Sequence, residues 1–347
     1  MKHRFRAYII WGHLMSQEAL GVRYGEGLNK RLEVSIMIFN LIIKDSIRKQ
    51  AEEGKSLKEI ADTLSYLDVA DRGFVMMVSE LGGVYLSSAP LMNTNILYLS
   101  VASRVLEKSV EEGVDLERVY ERLDKASKVL ASTLARLVEK GFRQSVSTLA
   151  KEAQGRRLYI YGSEFFSRVA YQEASSQGAD AVLIAASPWD ALISRLAEEL
   201  EAPLVYYPNV NLEFATSGGR GFYVAVEVES ILEDSLLALA GTRAIASLAR
   251  MWGGTTGAVS TPLGPSLWTP EFMRSLRAGE IVPSYIMVTE WGESLTFKAL
   301  DPIPRSGVDA LYVGERKFPR DTDNITLSSE SSRLVREALE EVQIEIG

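Results

Sequence analysis

Two patterns of hydrophobic positions follow one another along the chain, and the change between them falls near Gly155. Over residues 33–152 the apolar positions recur at helical spacing, in segments such as NILYLSVASRVLEKSVEEG and LERVYERLDKASKVLASTLARLVEKG. Gly113 and Gly141 stand at the ends of these two segments, where glycine commonly stops a helix. This part of the chain is therefore predicted to be helical, with each helix packed by one face.

Beyond Gly155, short apolar runs alternate with amphipathic segments. RLYIY, AVLIAA, PLVYY and FYVAV have the pattern of strands, and helices are predicted from Ser163, from Ser187 and through Gly241. Further strands are predicted in SYIMVTEWG, SLTFKAL and DALYVGE, and a final helix in SSRLVREALEEVQ. Alternation of this kind favours a parallel sheet. We predict an α/β fold, with a helical N-terminal domain over 1–154 and a Rossmann-like doubly wound domain over 155–347.

Composition narrows the chemistry that this chain can perform. The 347 residues include no cysteine, which excludes disulfides, thiolate zinc sites, iron–sulfur clusters and thiol nucleophiles. Two histidines, His3 and His13, argue against Ser-His-Asp catalysis and multi-histidine metal sites. Neither a Walker phosphate loop nor GxGxxG after a strand is present. No metal and no cofactor are predicted, and any catalysis must use carboxylates, Lys, Arg, Tyr, Ser or Thr.

The net charge of −8 is unevenly distributed. Residues 1–150 carry 21 basic and 19 acidic side chains, whereas residues 151–347 carry 17 and 27. An acidic second half repels a phosphate backbone, so nucleic-acid binding there is disfavoured. No apolar run approaches the roughly 20 residues that cross a membrane, and Met1–Met15 lacks the organisation of a signal peptide. We expect a cytoplasmic protein, and the scarcity of Cys, Asn and Gln hints at a heat-adapted source.

One segment of the N-terminal half has the rhythm of a winged helix-turn-helix. SLKEIADTL would be its first helix, opened by a capping box of Ser56 and Glu59. The following segment offers Asp68, Asp71 and Arg72, although a recognition helix usually presents several side chains that reach bases or phosphates. A ligand-responsive DNA-binding regulator is therefore an alternative, and the weaker one.

The stretch from Phe222 to Arg250 points to a ligand site. It combines an apolar strand, a short acidic turn, the step Gly241-Thr242 and an Ala-rich helix. In α/β folds the crevice beyond the C-terminal ends of parallel strands collects ligands, because loops and helix N-termini converge there with free backbone N–H groups. We expect the site at this edge of the sheet.

Three groups near this edge each have a ligand-binding and a structural interpretation. The turn Gly162-Ser163 could hold a phosphate, or Ser163 could simply cap the next helix. The segment Ser217–Arg220 could bind an anion through Arg220, or merely connect two elements. Asn209 and Asn211 more often fill turns or cap a helix than bind a sugar.

Carboxylates are densest in the same stretch, at Glu227, Glu229, Glu233 and Asp234. Glu227 and Glu229 are two apart on a predicted strand, so they would share a face and could act as an acid–base pair. A solvated strand end is the commoner arrangement. Arg243, in the first turn of the following helix, could meet a phosphate or form an ion pair with Glu229 or Asp234.

Four segments together resemble the alpha, beta and delta subunits of translation initiation factor 2B. They are LYIYGSEFF, VLIAASPWDALISRLAEEL, VEVESILEDSLLALAGTRAIASLAR and LDPIPRSGVDALYVGE, and they follow a helical N-terminal half. Taken together in order and spacing, the similarity covers about Leu91 to Val313. That superfamily also includes the methylthioribose-1-phosphate and ribose-1,5-bisphosphate isomerases. The resemblance implies a helical N-terminal domain, a Rossmann-like C-terminal domain and assembly as a homodimer or a higher homo-oligomer.

The chain departs from the isomerases at four places. Gly162 or Ser163 stands in place of their cysteine, and Glu227 and Glu229 stand in place of their strand-end aspartate. Leu239 and Ala240 replace their Asn-Lys pair, and Ala186-Ser187-Pro188 replaces their Ser-Arg-Pro. Aldose–ketose isomerisation needs a proton-transfer acid and base and cationic recognition of phosphate. The resemblance therefore favours a regulatory, non-catalytic protein.

Such a protein would bind a phosphorylated small molecule or an initiation factor 2 subunit. The predicted ligand-binding residues are Gly162, Ser163, Arg220, Asp234, Gly241, Thr242 and Arg243. The alternative is a sugar-phosphate isomerase in which Glu227 or Glu229 replaces the thiol and the aspartate.

Overall fold

The computed structural model describes residues 28–70, 91–186, 190–232, 235–261, 284–288, 294–298 and 300–320, together with residue 340. Within these ranges, the first part of the chain is helical, as predicted. Its helices are α1 (Leu28–Glu52), α2 (Leu57–Ala70), α3 (Leu91–Glu112) and α4 (Leu116–Glu152). None of the described helices combines the length and the apolar character that crossing a lipid bilayer requires. Of the residues predicted for the recognition segment, Asp68 lies in α2, which continues from SLKEIADTL to Ala70, whereas Asp71 and Arg72 lie outside the described residues. The predicted helix SSRLVREALEEVQ also lies outside them, apart from residue 340.

Local signals fix the ends of several helices. The Ser56 backbone N–H and hydroxyl both donate to the Glu59 carboxylate at 2.7 Å, and the Glu59 N–H donates to the Ser56 hydroxyl at 3.3 Å. The predicted capping box is confirmed at the start of α2. Helix α3 stops before Gly113, which has φ +65°. A left-handed residue of this kind is the usual way to end a helix, and glycine adopts it without strain.

The predicted stop at Gly141 is wrong. Helix α4 continues through this residue for a total of 37 residues, and Gly141 is buried within it. Buried positions recur at helical spacing on both sides, from Val138 to Phe142, Val146 and Leu149. A glycine in a helix interior costs about 1 kcal/mol relative to alanine, and burying four large apolar side chains outweighs that cost.

The second part of the chain alternates strands and helices. The strands are β1 (Arg157–Tyr161), β2 (Asp180–Ala185), β3 (Leu204–Tyr206), β4 (Phe222–Ile231), β5 (Ser235–Leu239), β6 (Thr255–Ser260), β7 (Ser284–Val288), β8 (Ser294–Lys298), β9 (Leu300–Pro304), β10 (Ala310–Val313) and β11 (Arg316–Pro319). The helices are α5 (Glu164–Ser176), α6 (Asp190–Leu200), α7 (Val210–Ser217) and α8 (Thr242–Met251). Short 3-10 turns span Gly218–Arg220 and Arg305–Gly307.

The main sheet is mostly parallel, in the order β11-β10-β6-β4-β1-β2-β3, and only the edge strand β11 runs antiparallel to its neighbour. Helices α4, α5 and α6 pack side by side on one face, and α7 and α8 pair with each other on the opposite face. The predicted α/β class, with a helical first part and a doubly wound parallel sheet, is therefore confirmed. Strands β7 and β8 form a separate antiparallel pair.

Strand β4 is longer than FYVAV and joins two sheets. Residues Phe222–Glu227 pair in parallel with β1 and β6, whereas Val228–Ile231 pair antiparallel with β5, which in turn pairs with β9. A register shift between Val228 and Ser230 marks the change. Strand β5 is formed by SLLAL, for which the sequence pattern predicted no strand. Its strand partners decide its conformation, because a short run of four apolar residues fits a buried strand as well as a helix.

Candidate functional site

The strand order reverses between β1 and β4. From β1 the sheet continues through β2 and β3 on one side, and from β4 it continues through β6 and β10 on the other. Such a switch point opens a crevice at the C-terminal ends of the strands. The turn after β1, at Gly162 and Ser163, lies on this crevice against Glu227, the last residue of β4 that pairs with β6.

Ser163 caps helix α5. It is fully buried, its backbone is extended at φ −60° and ψ 164°, and its hydroxyl accepts a hydrogen bond from the Phe166 N–H at 3.3 Å. Its own backbone N–H donates to Glu227 Oε2 at 2.6 Å. The structural interpretation of this residue is therefore confirmed, and the capping geometry adds a carboxylate that the sequence did not place there.

Gly162 is required by the close approach of its neighbours. A Cβ built on it would lie 2.2 Å from Phe166 Cδ1 and 3.0 Å from both Cβ and Oε2 of Glu227. Contacts this short do not occur between real atoms, so any larger residue would displace the ring or the carboxylate. The turn after β1 is thus packed tightly around the Glu227 side chain.

Glu227 and Glu229 are both buried, so the solvated strand end considered above is wrong for them. The expectation that they share one face assumed regular alternation along the strand. The register shift between Val228 and Ser230 falls at Glu229 and interrupts that alternation. A buried carboxylate is costly without hydrogen bonds, and for Glu227 the Ser163 N–H at the positive end of α5 supplies one. Glu233 and Asp234 lie outside the described residues.

Helix α8 begins at the step Gly241-Thr242 that precedes the predicted Ala-rich helix, and it does not run through Gly241. Gly241 is the N-cap residue with φ +96°, and a Cβ built on it would lie 2.6 Å from the Tyr161 hydroxyl. That hydroxyl donates to the Ala240 carbonyl, which ties the end of β1 to the start of α8. Thr242 is fully buried, and its Oγ1 has no hydrogen-bond partner among the described residues.

Arg243 is exposed in the first turn of α8. The ion pairs between described residues do not include it, and its predicted partner Glu229 is buried. The ion pair with Glu229 is therefore wrong, whereas Asp234 lies outside the described residues. Since the guanidinium is exposed beside a helix N-terminus, it is placed to meet an anion from solvent.

The segment Ser217–Arg220 is a packed connection between elements. Helix α7 ends in it, and a 3-10 turn follows. A Cβ on Gly218 would lie 2.6 Å from the Trp252 carbonyl oxygen, and the Trp252 indole N–H donates to Asn211 Oδ1 at 2.7 Å. Asn209 occupies the N-cap position of α7 without a side-chain hydrogen bond. The side chain of Arg220 lies outside the described part of the structure, so its anion-binding role stays a prediction.

Sequence reasoning did not single out Tyr161 as a residue of the site. The ring is buried, and the hydroxyl reaches the Ala240 carbonyl across the crevice. A usable signal was its position as the last residue of a strand before a Gly-Ser turn, since side chains at that point border the crevice.

Three solved structures are similar to this chain, to different degrees. Translation initiation factor eIF-2B from Pyrococcus horikoshii OT3 is 12% identical, with a TM-score of 0.53, and the match covers 91% of this chain and 98% of that chain. The tetrameric eIF2B-beta2-delta2 complex from C. thermophilum is 9% identical, with a TM-score of 0.52, covering 95% and 94%. The 5-methylthioribose 1-phosphate isomerase from P. horikoshii OT3 is 13% identical, with a TM-score of 0.48, covering 93% and 86%.

No protein-family model and no curated protein matches the sequence. At identities this low the similarity concerns the fold. The chain has the fold of the initiation factor 2B subunits, as the four resembling segments predicted.

Proposed function

We propose that this protein is a regulatory, non-catalytic relative of the initiation factor 2B subunits. The observation that carries the proposal is the hydrogen bond from the Ser163 N–H to Glu227 Oε2. These residues stand where the resemblance puts the cysteine and the aspartate of the isomerases. A carboxylate that is fully buried and bonded to the backbone serves the structure of the turn, and the thiol that would accompany it is missing.

The ligand is a phosphorylated small molecule bound at the start of α8. Gly241 leaves the helix without a side-chain cap, Thr242 contributes a buried hydroxyl, and Arg243 contributes an exposed guanidinium. Backbone N–H groups at a helix N-terminus, together with a nearby cation, are a common way to bind phosphate.

Thermal unfolding with a panel of sugar phosphates and nucleoside monophosphates tests this proposal. A ligand at 100 times its dissociation constant adds about 2.7 kcal/mol to the free energy of unfolding. The matched controls are the same sugars and nucleosides without phosphate, which should give no shift. If no phosphorylated compound shifts the transition at millimolar concentration, the ligand-binding part of the proposal is wrong.

An initiation factor 2 subunit is the proposed protein partner. The neighbour from C. thermophilum forms a tetramer of two kinds of subunit, which supports a role inside an assembly. The measurement is co-elution of this protein with purified initiation factor 2 subunits from its own source, with the ligand panel present and absent. Separate elution under all conditions would leave the small molecule as the only proposed partner.

A sugar-phosphate isomerase is the second candidate, because Glu227 and Glu229 are both buried beside the switch point. Buried carboxylates at a crevice are a common source of acids and bases. Turnover of ribose 1,5-bisphosphate or methylthioribose 1-phosphate, lost in Glu229→Gln, would favour this candidate. Absence of turnover with both substrates would favour the regulatory one.

A further inference from the structure

We propose that the crevice accepts one phosphate group and excludes a second, because Glu227 already occupies the anion position at the start of α5. This inference rests on the proposed ligand-binding function and specifies its ligand as a monophosphate. Two helices, α5 with 13 residues and α8 with 10, begin at this edge of the sheet. Each N-terminus favours an anion, so the fold by itself offers two phosphate positions.

The start of α5 is closed by the chain itself. The Ser163 N–H, which would be a phosphate donor, is bonded to Glu227 Oε2 at 2.6 Å. The Ser163 hydroxyl is engaged with the Phe166 N–H, and both Ser163 and Glu227 are fully buried. At Gly162 a single added carbon atom would already clash with Phe166 and Glu227. No phosphate fits there without moving the carboxylate.

Electrostatic repulsion, like steric exclusion, disfavours a second phosphate at the start of α5. Glu227 places a carboxylate beside the turn, and like charges repel strongly where water is excluded. A second phosphate of a bisphosphate would meet this carboxylate instead of a row of free donors. The side chain of Glu227 is therefore a specificity determinant, since it supplies internally the anion that the helix end favours.

The start of α8 differs at each of these points. It has a glycine N-cap with no side-chain cap, and its first turn contains no acidic residue. Thr242 is fully buried with an Oγ1 that has no partner among the described residues, and Arg243 is exposed and outside the ion pairs of the described residues. A buried hydroxyl without a partner is costly, and a phosphate oxygen would satisfy it.

Calorimetric titration of the full-length chain with ribose 5-phosphate and ribose 1,5-bisphosphate tests the inference. In the unmodified protein the two dissociation constants should agree within about threefold, because the second phosphate finds no donors. In Glu227→Ala, which removes the carboxylate and opens the turn, the bisphosphate should bind roughly tenfold more tightly than the monophosphate.

Matched variants separate this effect from general changes in charge or packing. Glu164→Ala removes a carboxylate from the same helix end, but Glu164 is paired with Arg168 at 3.1 Å, so the ratio of the two constants should stay near one. Thr242→Val should weaken both ligands roughly tenfold. The Thr256 hydroxyl is equally buried and also has no partner among the described residues, but it lies near the N-terminal end of β6, away from the crevice. Thr256→Val should therefore change neither dissociation constant.

The outcomes distinguish this inference from the proposed function. A bisphosphate that binds the unmodified protein tenfold or more tightly than the monophosphate overturns the inference and leaves ligand binding intact. Binding of neither compound by the unmodified protein or by Glu227→Ala overturns the inference, and the ligand-binding proposal is then decided by the wider panel of phosphorylated compounds. The ratio in the unmodified protein needs no variant, so the inference is decided even where Glu227→Ala does not fold.

Discussion

Single residues at the crevice are constrained by contact as much as by conformation, and Gly241 is the clearest case. Its φ of +96° disfavours any side chain, and the Tyr161 hydroxyl occupies the space that a Cβ would need. A left-handed non-glycine residue costs about 1–2 kcal/mol, and the clash adds to this. We expect Gly241→Ala to lower the free energy of unfolding by roughly 2–4 kcal/mol, measured by chemical denaturation.

Gly253 is the matched control for this substitution. Its φ is +74°, but an added Cβ would meet nothing within 4 Å. Gly253→Ala should therefore show only the conformational cost of about 1–2 kcal/mol. Equal losses in the two variants would mean that the contact with Tyr161 does not constrain the start of α8.

Tyr98 connects the helices of the first part of the chain. Its hydroxyl donates to Asn40 Oδ1 at 2.7 Å, the Asn40 amide donates to Asp124 at 2.6 Å, and Lys44 pairs with Asp124. Burial raises the pKa of the Tyr98 hydroxyl well above its ordinary value, and the nearby Asp124 raises it further. The folded state therefore keeps the neutral phenol at pH values where the unfolded chain has lost the proton.

This raised pKa predicts a loss of stability in alkali. The contribution of the protonated Tyr98 hydroxyl to the free energy of unfolding is complete below about pH 10, the pKa of tyrosine in the unfolded chain. It is lost at about 1.4 kcal/mol per pH unit as the pH rises towards the pKa of Tyr98 in the folded protein. In Tyr98→Phe the decline above pH 10 should be less steep, because one titrating group is gone. At neutral pH the variant should lose about 1–3 kcal/mol, since Asn40 Oδ1 loses its donor. Parallel pH profiles of the two proteins would contradict the assignment.

At the scale of elements, Ser145 joins α4 to the edge of the main sheet. Its hydroxyl lies 2.8 Å from both the Gly141 and the Ser260 carbonyl oxygens, which share its one hydrogen, and it accepts from the Gly314 N–H at 2.7 Å. All of these atoms are buried. We expect Ser145→Ala to destabilise by about 1–3 kcal/mol, because a buried N–H and a buried carbonyl lose their partner. Ser132 is exposed on the same helix, and its hydroxyl donates to the Val129 carbonyl at 2.9 Å, so Ser132→Ala should cost under about 0.5 kcal/mol.

Strand β4 is the element whose course depends most on the strands that pair with it. Its first half belongs to the parallel sheet, and its second half is held by β5 and β9. The register shift at Glu229 turns the strand between these two environments, and bulges of this kind are common beside functional sites. The position of the crevice at this bend follows from the pairing of strands that are distant in sequence.

At the scale of the whole molecule, α4 links the helices to the sheet. The boundary proposed between residues 154 and 155 falls between the end of α4 at Glu152 and the start of β1 at Arg157. The second half of α4 nevertheless packs on α5, β6 and β10, and Leu149 lies so close to Gly257 that a Cβ there would be 3.0 Å from it. A fragment beginning at residue 155 would expose this apolar face.

We expect the fragment 155–347 to bind a hydrophobic dye and to unfold without a sharp transition, because it lacks the buried side chains of α4. The comparison is a fragment that begins at residue 116 and keeps the whole helix, which should unfold more cooperatively. Cooperative unfolding of the shorter fragment would show that the proposed second domain is independent of α4.

The proposed homodimer is also tested on the whole molecule. Light scattering after gel filtration should give twice the chain mass of 38.4 kDa, and the mass should stay the same on tenfold dilution. Among the described residues, the exposed large apolar side chains available for such contacts are Tyr206, Tyr207, Leu212, Met251 and Trp252. A mass of one chain would contradict the proposed assembly.

The sequence by itself determined the elements whose signals are local. Alternating apolar runs gave the parallel strands, the Ser56–Glu59 pair gave the start of α2, and Ser163 and Gly241 gave the starts of α5 and α8. Each of these signals works within three or four residues, because capping and amphipathic patterning depend on neighbours in the chain.

The tertiary structure alone decided the rest. It carried α4 through Gly141, turned SLLAL into a strand, and brought the Glu227 carboxylate to the Ser163 N–H, 64 residues away in sequence. The physical reason is that the burial of a carboxylate and its choice of donor depend on which strands are neighbours and in which register. That register is fixed by packing between distant segments, and no local pattern in this sequence encodes it.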